Sequence, residues 1–114
     1  MTSQGSAHGR FQRALERRNL FQAELALREL RGTPTLATAL DYLELLASQR
    51  PDRFDRAAIR WHARLELEAH ALTLAESQLA LAALGSMREG NAVALDVLRK
   101  LLRRVQPTLP PPVA

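Results

Sequence analysis

The stretch 52–70, DRFDRAAIRWHARLELEAH, decides the fold. No Gly or Pro interrupts it, and apolar residues return every three or four positions, which predicts an amphipathic helix. Asp52 is expected to cap the N-terminus of this helix, with Asp55 as a capping-box carboxylate. An advance of about 100° per residue collects one apolar stripe, which should face a core. The stripe consists of Phe54, Ala58, Trp61 and Leu65.

A second stripe, roughly a quarter turn away, is made only of arginine. One interpretation is a basic rail for acidic side chains or phosphates, with Trp61 at its margin. The other is a solvated helix face whose arginine stems cover apolar surface. The first interpretation gives a partner-binding hypothesis that consists of Arg53, Arg56, Arg60, Trp61 and Arg64.

The rest of the chain also has helical spacing, so the sequence predicts an all-α fold. Leu and Ala dominate and aromatic residues make up 4%, which favours helices over strands. We expect a compact bundle of about five to six antiparallel helices with short loops. Residues 10–105 would form this single domain, 1–9 a disordered tail, and 106–114 a Pro-rich tail that favours polyproline II.

Local signals place the other helices. A first short helix spans 10–18, and a second spans 20–31 and stops at Gly32. Two apolar stripes on the second helix, one containing Phe21, suggest that it is sandwiched between neighbours. Thr33 and Pro34 are expected to begin the third helix as N-cap and first helical residue. Asn91 is expected to cap the last helix, whose core face starts at Val93.

The segment 74–84 is apolar on every side after its first turn. Thr73 and Glu76 form a capping box at its start, and Gly85 is expected to begin a loop. A helix that is apolar all round is normally buried, which predicts a central position in the bundle. The alternative is a seam between copies of the chain.

The chain has 16 Lys and Arg residues against 12 Asp and Glu, a net charge of +4. This balance supports an alternative function as an Arg-rich nucleic-acid accessory protein that contacts phosphates, if the basic stripes of two helices converge on one surface. No motif typical of a recognition helix accompanies them. The residues of this alternative are Arg53, Arg56, Arg60, Arg64, Arg99, Lys100, Arg103 and Arg104.

Few residue patterns point to chemistry. The chain has no Cys, which excludes disulfides and thiolate chemistry. His62, Glu66 and His70 are spaced four apart, so they line one side of a helix and form a weak candidate metal site. The serines, Ser77 among them, are predicted to lack a partner histidine.

The function expected from these patterns is a non-enzymatic helical module that binds a protein partner or itself, without a cofactor. Apolar anchoring with arginine pairs at the rim would carry the binding. The N-terminus lacks the features of a secretory signal, and no apolar run is long enough to span a bilayer, so a cytoplasmic location is expected.

Overall fold

The computed structural model describes residues 6–105, and all regular structure in that range is helical, as predicted. Most of the predicted N-terminal tail and all of the Pro-rich tail lie outside these residues. No helix within 6–105 has the length and apolar character needed to cross a bilayer. The six helices are α1 (Ala7–Glu16), α2 (Leu20–Glu29), α3 (Leu36–Gln49), α4 (Pro51–Glu68), α5 (Leu74–Arg88) and α6 (Ala92–Val105).

Helices α3 to α6 form a four-helix bundle, and α1 and α2 form a hairpin attached to it. In the bundle α3 packs on α4 and α6, α5 packs on the same two helices, and α3 meets α5 across the centre. Helices α4 and α6 occupy opposite corners, and no Cα atom of one lies within 8 Å of a Cα atom of the other. Of the four bundle helices, α3 is the one that packs against the α1–α2 hairpin within residues 6–105.

The apolar stripe of α4 is buried as predicted. Phe54 and Leu65 are at most 1% exposed, and Ala58 and Trp61 are nearly as well covered. Burial of a side chain of this size contributes roughly 1.5–3 kcal/mol, so this stripe is a main source of stability. The hairpin has a small core of its own, which consists of Phe11, Ala14, Ala23 and Ala26.

The central helix is α3, not α5. It contacts all five other helices, and its leucines Leu36, Leu40, Leu43 and Leu45 are buried. The prediction that 74–84 is buried on every side is wrong. α5 packs on its neighbours through one side only, and three leucines of its other side are 76%, 49% and 50% exposed, namely Leu74, Leu79 and Leu81.

Three helices begin at residues other than those predicted. α1 starts at Ala7, inside the predicted tail, because the Ser6 hydroxyl accepts a hydrogen bond from the Gly9 amide. α3 starts at Leu36 rather than Pro34, because the hydroxyl of Thr35 accepts from the Thr38 amide and makes Thr35 the cap.

The start of α4 differs in kind from the prediction. Only Arg50 separates α3 from α4, and Pro51 is already helical, so Asp52 lies inside the first turn and caps nothing. Its carboxylate instead accepts two hydrogen bonds from the Arg50 guanidinium. Proline suits this position because its missing N–H would have had no helical partner.

Two glycines mark reversals of the chain direction. Gly32 and Gly90 have φ of 88°, a left-handed conformation that costs other residues more. Gly85 is not among them: α5 continues through this residue to Arg88, beyond the predicted end.

Two residues that were predicted to lie on core faces are exposed. Phe21 and Val93 are 68% and 65% exposed, so neither predicted core face extends to them.

Candidate functional site

The arginine stripe of α4 divides into paired and unpaired members. Arg53 binds the Glu24 carboxylate of α2 through both terminal nitrogens. Arg64 binds Glu68 on its own helix and donates to the Pro34 carbonyl oxygen at 2.8 Å. Arg56 and Arg60 are exposed, and neither forms an ion pair with any carboxylate of residues 6–105.

Trp61 belongs to the core and not to a binding surface. Its side chain is 3% exposed, and its indole Nε1 donates to the Leu36 carbonyl oxygen at 2.9 Å. A partner has no access to this ring without opening the α3–α4 contact. The hypothesis that Trp61 anchors a partner is therefore wrong.

The basic residues proposed for nucleic acid do not gather on one surface. The stripes of α4 and α6 are on helices at opposite corners of the bundle. Arg99 and Arg104 pair with Asp41 and Glu76, and Lys100 pairs with a residue of its own helix. In the described part of the chain nine bases form ion pairs, which leaves fewer charges for phosphates.

His62 and Glu66 both contact Ser77, a serine predicted from the sequence to lack a partner histidine. His62 Nε2 lies 3.0 Å from both the carbonyl oxygen and the hydroxyl of Ser77 on α5. The Ser77 hydroxyl donates to Glu66 at 2.7 Å. Because a carbonyl oxygen can only accept and the Ser77 hydroxyl donates to Glu66, the geometry favours the tautomer in which His62 Nε2 donates to Ser77. The cluster is a polar link between α4 and α5.

The third member of the weak metal candidate lies away from this cluster. α4 ends at Glu68, so His70 no longer follows the helical line of His62 and Glu66. Its backbone amide donates to the Val105 carbonyl oxygen at 2.7 Å instead. Within residues 6–105 no group of three metal-ligating side chains is close enough to hold an ion. The three residues, a weak metal candidate in the sequence, therefore do not come together in the structure.

A groove of about 510 Å³ runs between α2, α3 and α4. Apolar side chains of Leu27, Leu46 and Ala57 line part of it, and Arg56 and Arg60 line its α4 side. We name this feature the arginine groove. In this groove unpaired guanidinium groups and apolar surface occur together.

A polar cluster holds one wall of the arginine groove in place. Tyr42 donates from its hydroxyl to Glu24 at 2.8 Å, and Glu24 also accepts from Arg53. Burial opposes ionisation of Glu24, but the hydrogen bonds from Arg53 and Tyr42 outweigh it and hold the pKa of Glu24 below its usual value. The carboxylate therefore stays charged and keeps both partners oriented.

The same cluster predicts an unusual titration of Tyr42, the one tyrosine of the chain. Burial, followed by the hydrogen bond donated to Glu24, raises its pKa from 10.0 to about 12. The neutral phenol is thus favoured in the folded protein, and this contribution to stability is present below pH 10 and lost as the pH rises toward 12. We expect phenolate absorbance to develop near pH 12 while circular dichroism remains that of the folded protein.

Glu24→Gln is the matched variant for this titration, because it removes the charge that faces the phenol. In this variant the pKa of Tyr42 should lie closer to its ordinary value of 10.0. A wild-type midpoint near 10 in protein that is still folded would contradict the hydrogen-bonded geometry.

The second candidate surface is the side of α5 that faces away from the bundle. We call it the outer face of α5. The ionisable side chains of α5 are Glu76 and Arg88, and both bind residues of neighbouring helices: Glu76 binds Arg104, and Arg88 binds Asp55. The outer face therefore carries no ionisable side chain. From the sequence alone, this segment is predicted to be buried. The outer face consists of Leu74, Ala75, Gln78, Leu79, Leu81 and Ala82, all exposed.

Comparison of the chain with protein-family models, with curated proteins and with solved structures gave no match.

Proposed function

We propose that this protein is a non-enzymatic helical interaction module that associates through the outer face of α5, with a second copy of the chain as its partner. The observation that carries the proposal is the exposure of three leucines on a face without charge. Large apolar patches at the surface of a small domain usually mark an association site, whereas single exposed apolar residues do not.

The arrangement of the outer face suits packing by another helix. Leu74, Gln78 and Leu81 follow one line along α5, and Ala75, Leu79 and Ala82 follow the next. Alanines between leucines create grooves into which the side chains of a facing helix fit. Gly85 has no side chain, and no other atom lies within 4 Å of the position of a Cβ there. It therefore extends the groove along α5 by one turn.

The face continues onto α4. Arg88 pairs with Asp55 at 2.8 Å, and His62 contacts Ser77, so α4 and α5 are antiparallel neighbours in a fixed register. In this register Ile59, which is 68% exposed, is level with Leu81. The apolar surface is therefore two helices wide near its middle.

Charge supports a second copy as the partner. The chain carries a net charge of +4, so most approaches of two copies bring like charges together. The outer face of α5 is neutral and can meet its own symmetry mate without that repulsion. A two-fold dimer uses the same patch twice, which a self-complementary face of leucine and alanine allows.

The test is the molar mass in solution, measured by light scattering after size exclusion over a range of concentrations. We expect a dimer with a dissociation constant in the micromolar range, since the patch is small and pays the usual cost of association. Leu81→Glu should give a folded monomer with the circular dichroism of the wild type, because dimerisation would bury an unpaired carboxylate in the interface.

Phe21→Glu is the matched control. Phe21 is equally apolar and exposed, but it is on α2, away from α5. It should leave the dimer intact. A wild-type protein that is monomeric at every concentration would overturn association with a second copy, and a dimer that tolerates Leu81→Glu would overturn this choice of surface.

A further inference from the structure

We infer that the arginine groove is a second binding site, specific for an acidic peptide segment that carries an apolar side chain. This site is separate from the proposed association surface, because it lies between α2, α3 and α4 whereas the outer face belongs to α5. The inference rests on the charges, the apolar lining and the fixed wall of the groove.

Arg56 and Arg60 supply the positive charge that an acidic ligand would neutralise. They are one helical turn apart on α4, both exposed, and like charges at this spacing destabilise a helix when nothing compensates them. Elsewhere on the molecule most bases have a carboxylate partner, among them Arg53 in the same groove. A carboxylate bound between Arg56 and Arg60 would remove the repulsion and form charge-assisted hydrogen bonds.

The lining of the groove decides between a peptide and a nucleic acid. Leu46 is fully buried below it, and Leu27 and Ala57 add partly buried apolar surface. An apolar side chain next to the acidic groups would contact this surface. The sugar–phosphate backbone of a nucleic acid carries no aliphatic side chain next to its charged groups and would leave this surface uncovered.

The groove is held open before a ligand arrives. Arg53 and Tyr42 are tied to the shared carboxylate of Glu24, so the wall formed by α2 and α3 is fixed by hydrogen bonds. A peptide that binds there has no need to order these side chains, which lowers the entropic cost of binding. Arg56 and Arg60 are the groups that remain to be ordered.

The experiment measures the fluorescence anisotropy of a short labelled peptide with two glutamates one helical turn apart and a leucine between them. We expect saturable binding that weakens as salt is added. In the double variant Arg56→Gln/Arg60→Gln the affinity should fall about tenfold or more. The peptide with both glutamates replaced by glutamine should lose affinity to the same degree.

Arg103→Gln is the matched control, since Arg103 is an exposed base of α6 that forms no ion pair within residues 6–105. It should bind the peptide as the wild type does. The double variant should also melt at the wild-type temperature or above it, because neither arginine has an ion-pair partner to lose.

Three results would overturn the inference: no binding of the acidic peptide at low salt, equal affinity of wild type and double variant, or displacement of the peptide by a DNA duplex that binds more tightly through the same two arginines. The Leu81→Glu variant separates the two proposals, because it disrupts the outer face of α5 and leaves the arginine groove unchanged.

Discussion

Trp61→Ala should destabilise the protein by about 3–5 kcal/mol, the range for truncation of a large aromatic side chain in a packed core. The ring is 3% exposed, and its loss would leave a cavity between α3 and α4. It would also leave the Leu36 carbonyl oxygen without the indole donor. Because small domains are stable by only about 5–15 kcal/mol, this loss would remove a large fraction of the free energy of unfolding.

Urea unfolding followed by circular dichroism measures this effect, with Arg60→Ala as the control. Arg60 is the neighbour of Trp61 in sequence but is exposed, so its truncation should change the free energy of unfolding by no more than about 0.5 kcal/mol. A Trp61→Ala protein with wild-type stability would place the ring outside the core. It would also reopen Trp61 as a partner anchor.

Leu40→Ala should destabilise the protein by about 2–5 kcal/mol, whereas Leu81→Ala should cost less than about 1 kcal/mol when measured on dilute protein. Leu40 is fully buried at the centre of α3, while Leu81 is half exposed on α5. The two substitutions remove the same atoms, so the difference reports the position of each helix. Equal and large losses would show that α5 is buried as the sequence alone predicts.

Helix identity is the part of the fold that could be predicted locally. The stripe of Phe54, Ala58, Trp61 and Leu65 has the spacing of one helix face, and all four residues are buried. The capping box of Thr73 and Glu76 is also present, because both of its hydrogen bonds are made within four residues. Signals of this kind depend on near neighbours in sequence and survive any arrangement of the helices.

Which helix lies at the centre of the bundle could not be predicted in this way. Both α3 and α5 are rich in leucine and alanine, but α3 contacts every other helix and α5 contacts three. Periodicity shows how apolar a helix is on each side and contains no information on how many neighbours will cover it. The prediction that α5 is central therefore failed, and the same failure revealed its exposed outer face.

The candidate sites show a similar division. The arginine stripe of α4 was visible in sequence, but its division into paired Arg53 and unpaired Arg56 and Arg60 was not. The partner of Arg53, Glu24, is 29 residues away in the chain. The contact between His62 and Ser77 was also missed, since the two residues are on different helices.

The amino-acid sequence by itself determined that this protein is helical and which side of α4 faces its core, because hydrogen bonds and side-chain spacing within a helix involve residues three or four positions apart. Only the tertiary structure decided which arginines are neutralised, which helix is central and which apolar face is left uncovered. Those properties depend on contacts between residues distant in the chain, and such contacts exist only once the helices have packed.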